Sequence, residues 1–243
     1  MKQRRTLIYF ISSISLLLLF SVSVNAQNDS IPNAVNDSIK IKQKYGLRFG
    51  GDIGKLIRSF VDDDYTGFEI IADYRLKNRL YIAGEIGIEE KTTITDYLDV
   101  TTKGTYLKGG IDYNLYQNWL DMDNMIFAGF RVGASSFSHT RNSFQVYSTD
   151  QYWEPQFTST DGTKFNDLTA IWIELIIGLK AELFNNLYLG LNLQLKGLAN
   201  ETEPAGFENI YIPSFGKTFD SSGIGVGYGY TLSYRIPLYK KDK

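Results

Sequence analysis

A single histidine, His139, stands near Ser136 and Ser138 in a chain of 243 residues, and this trio is the first place to look for nucleophilic chemistry. A histidine within hydrogen-bond reach of a serine hydroxyl can take its proton and make the oxygen a nucleophile. That chemistry would make the chain a lipid-modifying hydrolase using His139, if the chain lies in a membrane. A second candidate is the acidic run Asp62, Asp63 and Asp64, whose carboxylates suit a hard divalent cation, although consecutive acids in a loop are usually only solvated. A third, "GIGVGYG" from Gly223 to Gly229, imitates a phosphate-binding loop. It alternates as a strand does and opens no helix, so the glycines are expected to leave room for larger side chains opposite them.

The charged residues with a regular spacing are more informative. In "NNLYLGLNLQLKGL" leucine occupies Leu187, Leu189, Leu191, Leu193 and Leu195, with Asn192, Gln194 and Lys196 between them. A period of two means a strand with two unlike faces. The same alternation recurs in "YGLRFGGDIG", "GFEIIADYRL", "LYIAGEIGIEE", "YLKGGIDYNL", "MIFAGFRVGAS", "TAIWIELIIGLKAEL" and "SGIGVGYGYTLSYRIPLY". The polar parity collects Arg48, Asp52, Glu69, Asp73, Arg75, Glu85, Glu89, Lys108, Asp112, Arg131, Glu174, Lys180, Glu182, Lys196 and Arg235; the apolar parity carries no charge. Ile53 falls on the apolar parity of the first strand.

The connections alternate too. Lys77-Asn78-Arg79, Phe184-Asn185-Asn186 and "YQNWLDMDN" are short, whereas residues 55–66, 90–104, 136–168 and 199–222 are long. Short turns at one rim and long loops at the other, with an even number of strands, is the layout of an outer-membrane barrel. The fold expected is all-β: an eight-stranded antiparallel up-and-down transmembrane β-barrel over residues 45–243, with both chain ends periplasmic.

The N-terminus agrees with that destination. Lys2, Arg4 and Arg5 precede an apolar run and Val24-Asn25-Ala26 follows it, the pattern of a secretory signal peptide over residues 1–26. Cleavage removes three basic and no acidic side chains, leaving a net charge of about −5, which argues against a nucleic-acid partner. Residues 27–44 are polar and read as a flexible periplasmic leader. Their repeated "NDSI" resembles a bacterial O-glycosylation acceptor, making Ser30 and Ser38 candidates. The chain has no cysteine, so disulfides, an N-terminal lipid-modified cysteine and cysteine-held metals are excluded. No cofactor is implied.

A soluble ligand-binding barrel would point its apolar face inward. Two observations favour lipid. A Lys or Arg at bilayer midplane costs about 2–4 kcal/mol, which accounts for total exclusion of charge from one face. Tyr45, Tyr74, Tyr113 and Tyr234 share that face near the short-turn rim, where an interfacial girdle belongs.

In strand pattern and loop alternation the chain resembles the small outer-membrane barrels of the OmpA and OmpX type. In "RSFVDDDYTGFE", "EEKTT" and "SYRIPLY" it is similar to a Gram-negative outer-membrane barrel family with no assigned function. The resemblance implies outer-membrane lipid and the barrel-insertion machinery as partners, with Tyr239 standing in for the terminal aromatic residue that machinery reads. It carries over no functional residue. The eight-stranded deacylases place serine two residues after their histidine, and here that position is Arg141, so His139 is expected to be a solvent-accessible loop residue.

Eight strands leave an interior that side chains can fill, and mixed charge inside it should pair, because an unpaired charge in a confined space is expensive. The expected function is therefore a non-enzymatic structural or surface-interaction role with a closed lumen. A narrow channel and the His139 hydrolase are the alternatives. The third long loop carries Tyr147, Tyr152, Trp153 and Phe157 as candidate contacts for a protein or glycan partner, or as residues packing within the loop itself. Asp161-Gly162 there is a hairpin signal.

Overall fold

The computed structural model describes residues 42–116, 123–146, 157–160, 162–216 and 222–242. The expected signal peptide, the expected leader up to residue 41 with Ser30 and Ser38, and Tyr147, Tyr152 and Trp153 lie outside the described residues. Among the described residues eight long strands are present: β1 (Lys42–Asp52), β2 (Tyr65–Arg75), β3 (Leu80–Ile94), β4 (Leu98–Asn114), β5 (Met125–Gln145), β6 (Thr163–Phe184), β7 (Leu187–Glu201) and β8 (Ile224–Asp242), with a two-residue strand, Thr158–Ser159, beside the end of β5 and one helix, α1 (Ile53–Val61), between β1 and β2. Every neighbouring pair is antiparallel, β1 pairs with β8, and β4 pairs with β5, so the sheet closes into a ring of eight strands. Over the length of β1, Lys42–Asp52, closure leaves no sheet edge, the condition a spanning sheet must meet in hydrocarbon.

Burial follows the sequence parity. On β6, Ile171, Ile173, Leu175, Ile177 and Leu179 are exposed while Trp172, Glu174, Ile176 and Lys180 between them are buried. Leu191, Leu193 and Leu195 of β7 and Val226, Tyr228, Tyr230 and Leu232 of β8 continue the outer surface. An outside that is apolar and an inside that is charged inverts the soluble pattern and makes this a transmembrane β-barrel. Tyr74, Tyr113 and Tyr234 reach that surface near the short-turn rim as expected. Tyr45 does not. It is buried, stacked on Tyr239 with ring centroids 5.0 Å apart, and Tyr239 is the ring exposed there.

The long connections are where the structure departs from expectation. Only part of the first is irregular: Asp52 caps α1 by accepting from the backbone N–H groups of Gly54 and Lys55, so Ile53 opens a helix and does not continue the strand. Residues 90–104 are mostly strand, since β3 and β4 run on to a turn at residues 95–97. β5 and β6 likewise extend well past the apolar surface. Asp161 of the expected hairpin signal lies outside the described residues. Thr158 and Ser159 pair with Gln145 and Phe144 on the same side of β5 that Thr163 meets at Arg141, and Gly162 has φ +63°. The fourth connection turns inward: Ile212, Pro213 and Phe215 are fully buried.

Candidate functional site

All thirteen charges named for the barrel interior lie there: Arg48, Asp52, Glu69, Asp73, Arg75, Glu85, Lys108, Asp112, Arg131, Glu174, Lys180, Lys196 and Arg235 are buried or, for Glu85, nearly so. Alternating strand geometry aims them inward, and the ring brings together groups far apart in sequence. Near the short-turn rim, Arg75 and Arg235 converge on Asp123, Arg75 Nη2 at 2.9 Å. Glu182 takes Lys44 at 3.2 Å and Arg235 at 3.4 Å.

The middle layer is a continuous chain of alternating sign. Asp73 binds Arg48 at 2.6 Å and Lys180 at 2.7 Å. Lys180 also approaches Asp112 at 3.7 Å, and Asp112 binds Arg131 at 2.8 Å. Arg131 reaches Glu85 at 3.3 Å; Glu85 binds Lys108, which lies 3.4 Å from Glu69 and 3.9 Å from Glu174. Each charge removed from water loses several kcal/mol of hydration, and only close partners of opposite sign restore it. The chain supplies them across the whole section of the barrel.

At the outer end the decisive residue is Lys55, which lies on α1 and was not among the expected site residues. Its Nζ donates to Glu69 at 2.9 Å, Glu89 at 2.7 Å and the Tyr106 hydroxyl. Glu89 also accepts from Tyr65 and Tyr211 hydroxyls and from the Ser214 N–H at 2.7 Å. Apolar side chains share the interior with the charges. Tyr106, Phe137, Leu168, Ala170, Trp172, Ile212 and Phe215 form an apolar cluster under the outer mouth, and Tyr81, Met125, Phe127 and Ile176 a second one lower down. Trp172 joins the two regimes, its ring against Phe215 and its Nε1 donating to Glu174 at 2.7 Å. The run "IYIPSF" from Ile210 to Phe215 was the available sign that this connection packs inward; so many apolar residues seldom face water in sequence order.

His139 is fully buried, not a solvent-accessible loop residue. Asn209 donates its amide hydrogens to Glu201 at 2.7 Å and the Thr202 carbonyl at 3.0 Å. Its Oδ1 is therefore an acceptor, so His139 carries its proton on Nε2 and donates across 2.9 Å. Nδ1 then accepts from the Thr102 hydroxyl at 2.7 Å. Burial pushes the imidazole below its ordinary value against the opposing effect of Asn209. The ring bonds neither Ser136 nor Ser138, which are on the outward parity of β5 while His139 faces in. What His139 does is tether residues 202–209 to the wall.

Asp62 likewise has a structural partner set. Although the little burial it has acts the other way, hydrogen bonds from Lys91 at 3.2 Å and Arg58 at 3.1 Å hold its carboxyl below the usual range. Asp63 and Asp64 are exposed, and among the described residues no three metal-ligating side chains gather. Phe157 is exposed and lies against Phe144, ring centroids 6.0 Å apart.

Comparison with curated proteins gives no match. Among solved structures, the chain is similar to Ail, the attachment invasion locus protein of Yersinia pestis, at 7% identity and a TM-score of 0.38, covering 79% of this chain and 97% of that one. At that identity and superposition nothing is carried from it to this protein. Residues 6–241 match the family described as a domain of unknown function, DUF6048, and the chain belongs to that family.

Proposed function

We propose that this protein is an outer-membrane barrel of a Gram-negative bacterium, exported by its signal peptide and placed by the barrel-insertion machinery, with a sealed lumen and a non-enzymatic structural or surface-interaction role. The observation that carries the reading is the chain of ion pairs from Asp73 through Asp112 and Glu85 to Glu69. Each carboxylate in it meets a cation, and Ile212 and Phe215 cover it from outside. A permeating ion would have to displace those pairs and the apolar cap together.

Planar-bilayer recording of the purified protein tests this: no stable openings are expected, and stable openings would establish the narrow channel instead. The hydrolase alternative is disfavoured by His139, whose two nitrogens are committed to Thr102 and Asn209. Loss of a lipid-hydrolysis activity in His139→Ala would overturn the non-enzymatic reading. The projecting parts of β3–β4 and β5–β6 offer the surface for a protein or glycan partner, with Phe157 on it. Protease shaving of intact cells should cleave there.

A further inference from the structure

One sector of the wall is built differently from the rest. β1 ends with Gly51 opposite Ile70 on β2 and Asp52 opposite Thr231 on β8. Residues 65–69 of β2 and 224–230 of β8 continue outward with no β1 between them. α1 stands in the gap. Ser59 Oγ lies 2.8 Å from the Gly67 nitrogen and 3.2 Å from its carbonyl, taking the place of the missing strand's bonds. Ile53, Leu56, Ile57, Phe60 and Val61 recur at helical spacing, opposite the face that sends Lys55 into the lumen. Phe60 is 87% exposed and Val61 80%. This stripe continues the lipid-facing surface across the gap.

Beside the helix, a cavity of about 390 Å³ runs around the free edge of β8, within the range of small-ligand sites. It is lined from outside by Leu193, Val226 and Tyr228 and from inside by Lys108, Lys196 and Arg58 of the helix. Gly227 lets Gln194 and Lys196 lie close against β8 at this point, since a Cβ there would lie 2.8 Å from Gln194 Oε1 and 2.9 Å from Lys196 Nζ. The inner wall carries four cations, Lys55, Arg58, Lys108 and Lys196, against two carboxylates, Asp52 and Glu89. Asp52 is held by the first N–H groups of α1 and Glu89 by Lys55, Tyr65, Tyr211 and Ser214, so cations are in excess. Buried Lys196 donates a hydrogen bond to the Ser214 carbonyl and has its nearest carboxylate, Glu174, at 3.9 Å. An ammonium carries three donors.

We propose that this cavity is a lateral binding site for a membrane lipid with a phosphate head group, its acyl chain lying on Leu193, Val226 and Tyr228 and its head group reaching Lys196 past Gly227. Continuity with the lipid-facing surface identifies the source as the surrounding leaflet, and the charge of the inner wall selects the head group. The inference rests on the membrane-embedded reading above, which vesicle flotation checks separately: wild-type protein that fails to float with vesicles loses that reading, whatever its lipid binding.

Native mass spectrometry of the full barrel in neutral detergent, titrated with phosphatidylglycerol, phosphatidylcholine or inorganic phosphate, tests the site. Retention of a single phosphatidylglycerol in preference to phosphatidylcholine is expected, weakened about tenfold in Lys196→Gln through loss of a charge-assisted hydrogen bond. Gly227→Leu should block binding with Lys196 intact. Heat-modifiable gel migration confirms that each variant is folded, and either variant alone suffices if the other does not fold. Equal retention of the two lipids, or retention unaffected in a folded variant, would overturn the proposal. So would competition by millimolar inorganic phosphate as strong as that of the lipid, which would show a site for the free anion.

Discussion

The two sides of the barrel mouth solve the same problem differently. On the tall side, β3, β4, β5 and β6 continue past the apolar surface as hydrogen-bonded strands, and the backbone satisfies itself. On the low side β1 stops at Asp52, and α1 must replace both its hydrogen bonds and its lipid-facing surface. A strand pairs along its whole length, so any one tall-side side chain matters little. The helix hangs on a few side chains, chiefly Lys55 and Ser59. The low side should therefore be the sensitive one, and it is also where the interior lies closest to lipid.

Lys55→Met should have the largest effect. Methionine keeps helix propensity, but Glu89 loses the cation 2.7 Å away and Glu69 one of its two. Removing one partner of a buried pair costs about 3–5 kcal/mol, readable in denaturant unfolding of the folded barrel. Ser59→Ala should cost about 1 kcal/mol, because the Gly67 N–H loses its acceptor; amide exchange at Gly67 should quicken. Lys103→Ala, on the tall side, removes an ion pair with Glu90 whose side chains are 74% and 45% exposed. It should cost at most about 0.5 kcal/mol in the same unfolding assay. If Lys103→Ala matched Lys55→Met, the contrast between the two sides would fail.

Acid should act on the cap that closes the mouth. His139 is held neutral in the folded protein, below its ordinary value of 6.5, so the unfolded segment binds the proton more readily. The stabilisation from this group is complete above 6.5 and is lost as pH falls through the folded value. Amide protection in residues 202–216, taken relative to the intrinsic exchange rate at each pH, should fall as pH drops below 6.5, and His139→Gln should abolish that fall. An unchanged fall in His139→Gln would detach the tether from the histidine.

The comparison also explains what could be read from sequence. Period-two alternation specifies which side chains face in, because a slip of one residue would put every charge of a strand into lipid. Hence Arg48, Lys108 and Glu174 were assignable one by one. Their pairings were not, since the meeting of Lys180 with Asp73 depends on how strands far apart in sequence face one another across the closed ring. Lys55 was hidden because "GGDIGK" keeps strand parity through Ile53. The helical spacing of Ile53, Leu56, Ile57, Phe60 and Val61 behind an Asp N-cap was nonetheless present. His139 was misplaced because its burial comes from Asn209 and Phe207, residues of a connection that carries no period at all.

The central claim is that the leucine face of the wall lies in lipid and the polar face does not. The most direct measurement is insertion into lipid vesicles of Leu191→Arg against Asn192→Arg, neighbours on β7 that face opposite sides of the wall. Leu191→Arg should impair insertion far more than Asn192→Arg does, consistent with a cost of about 2–4 kcal/mol for arginine in lipid at midplane. Equal effects of the two substitutions would contradict the account.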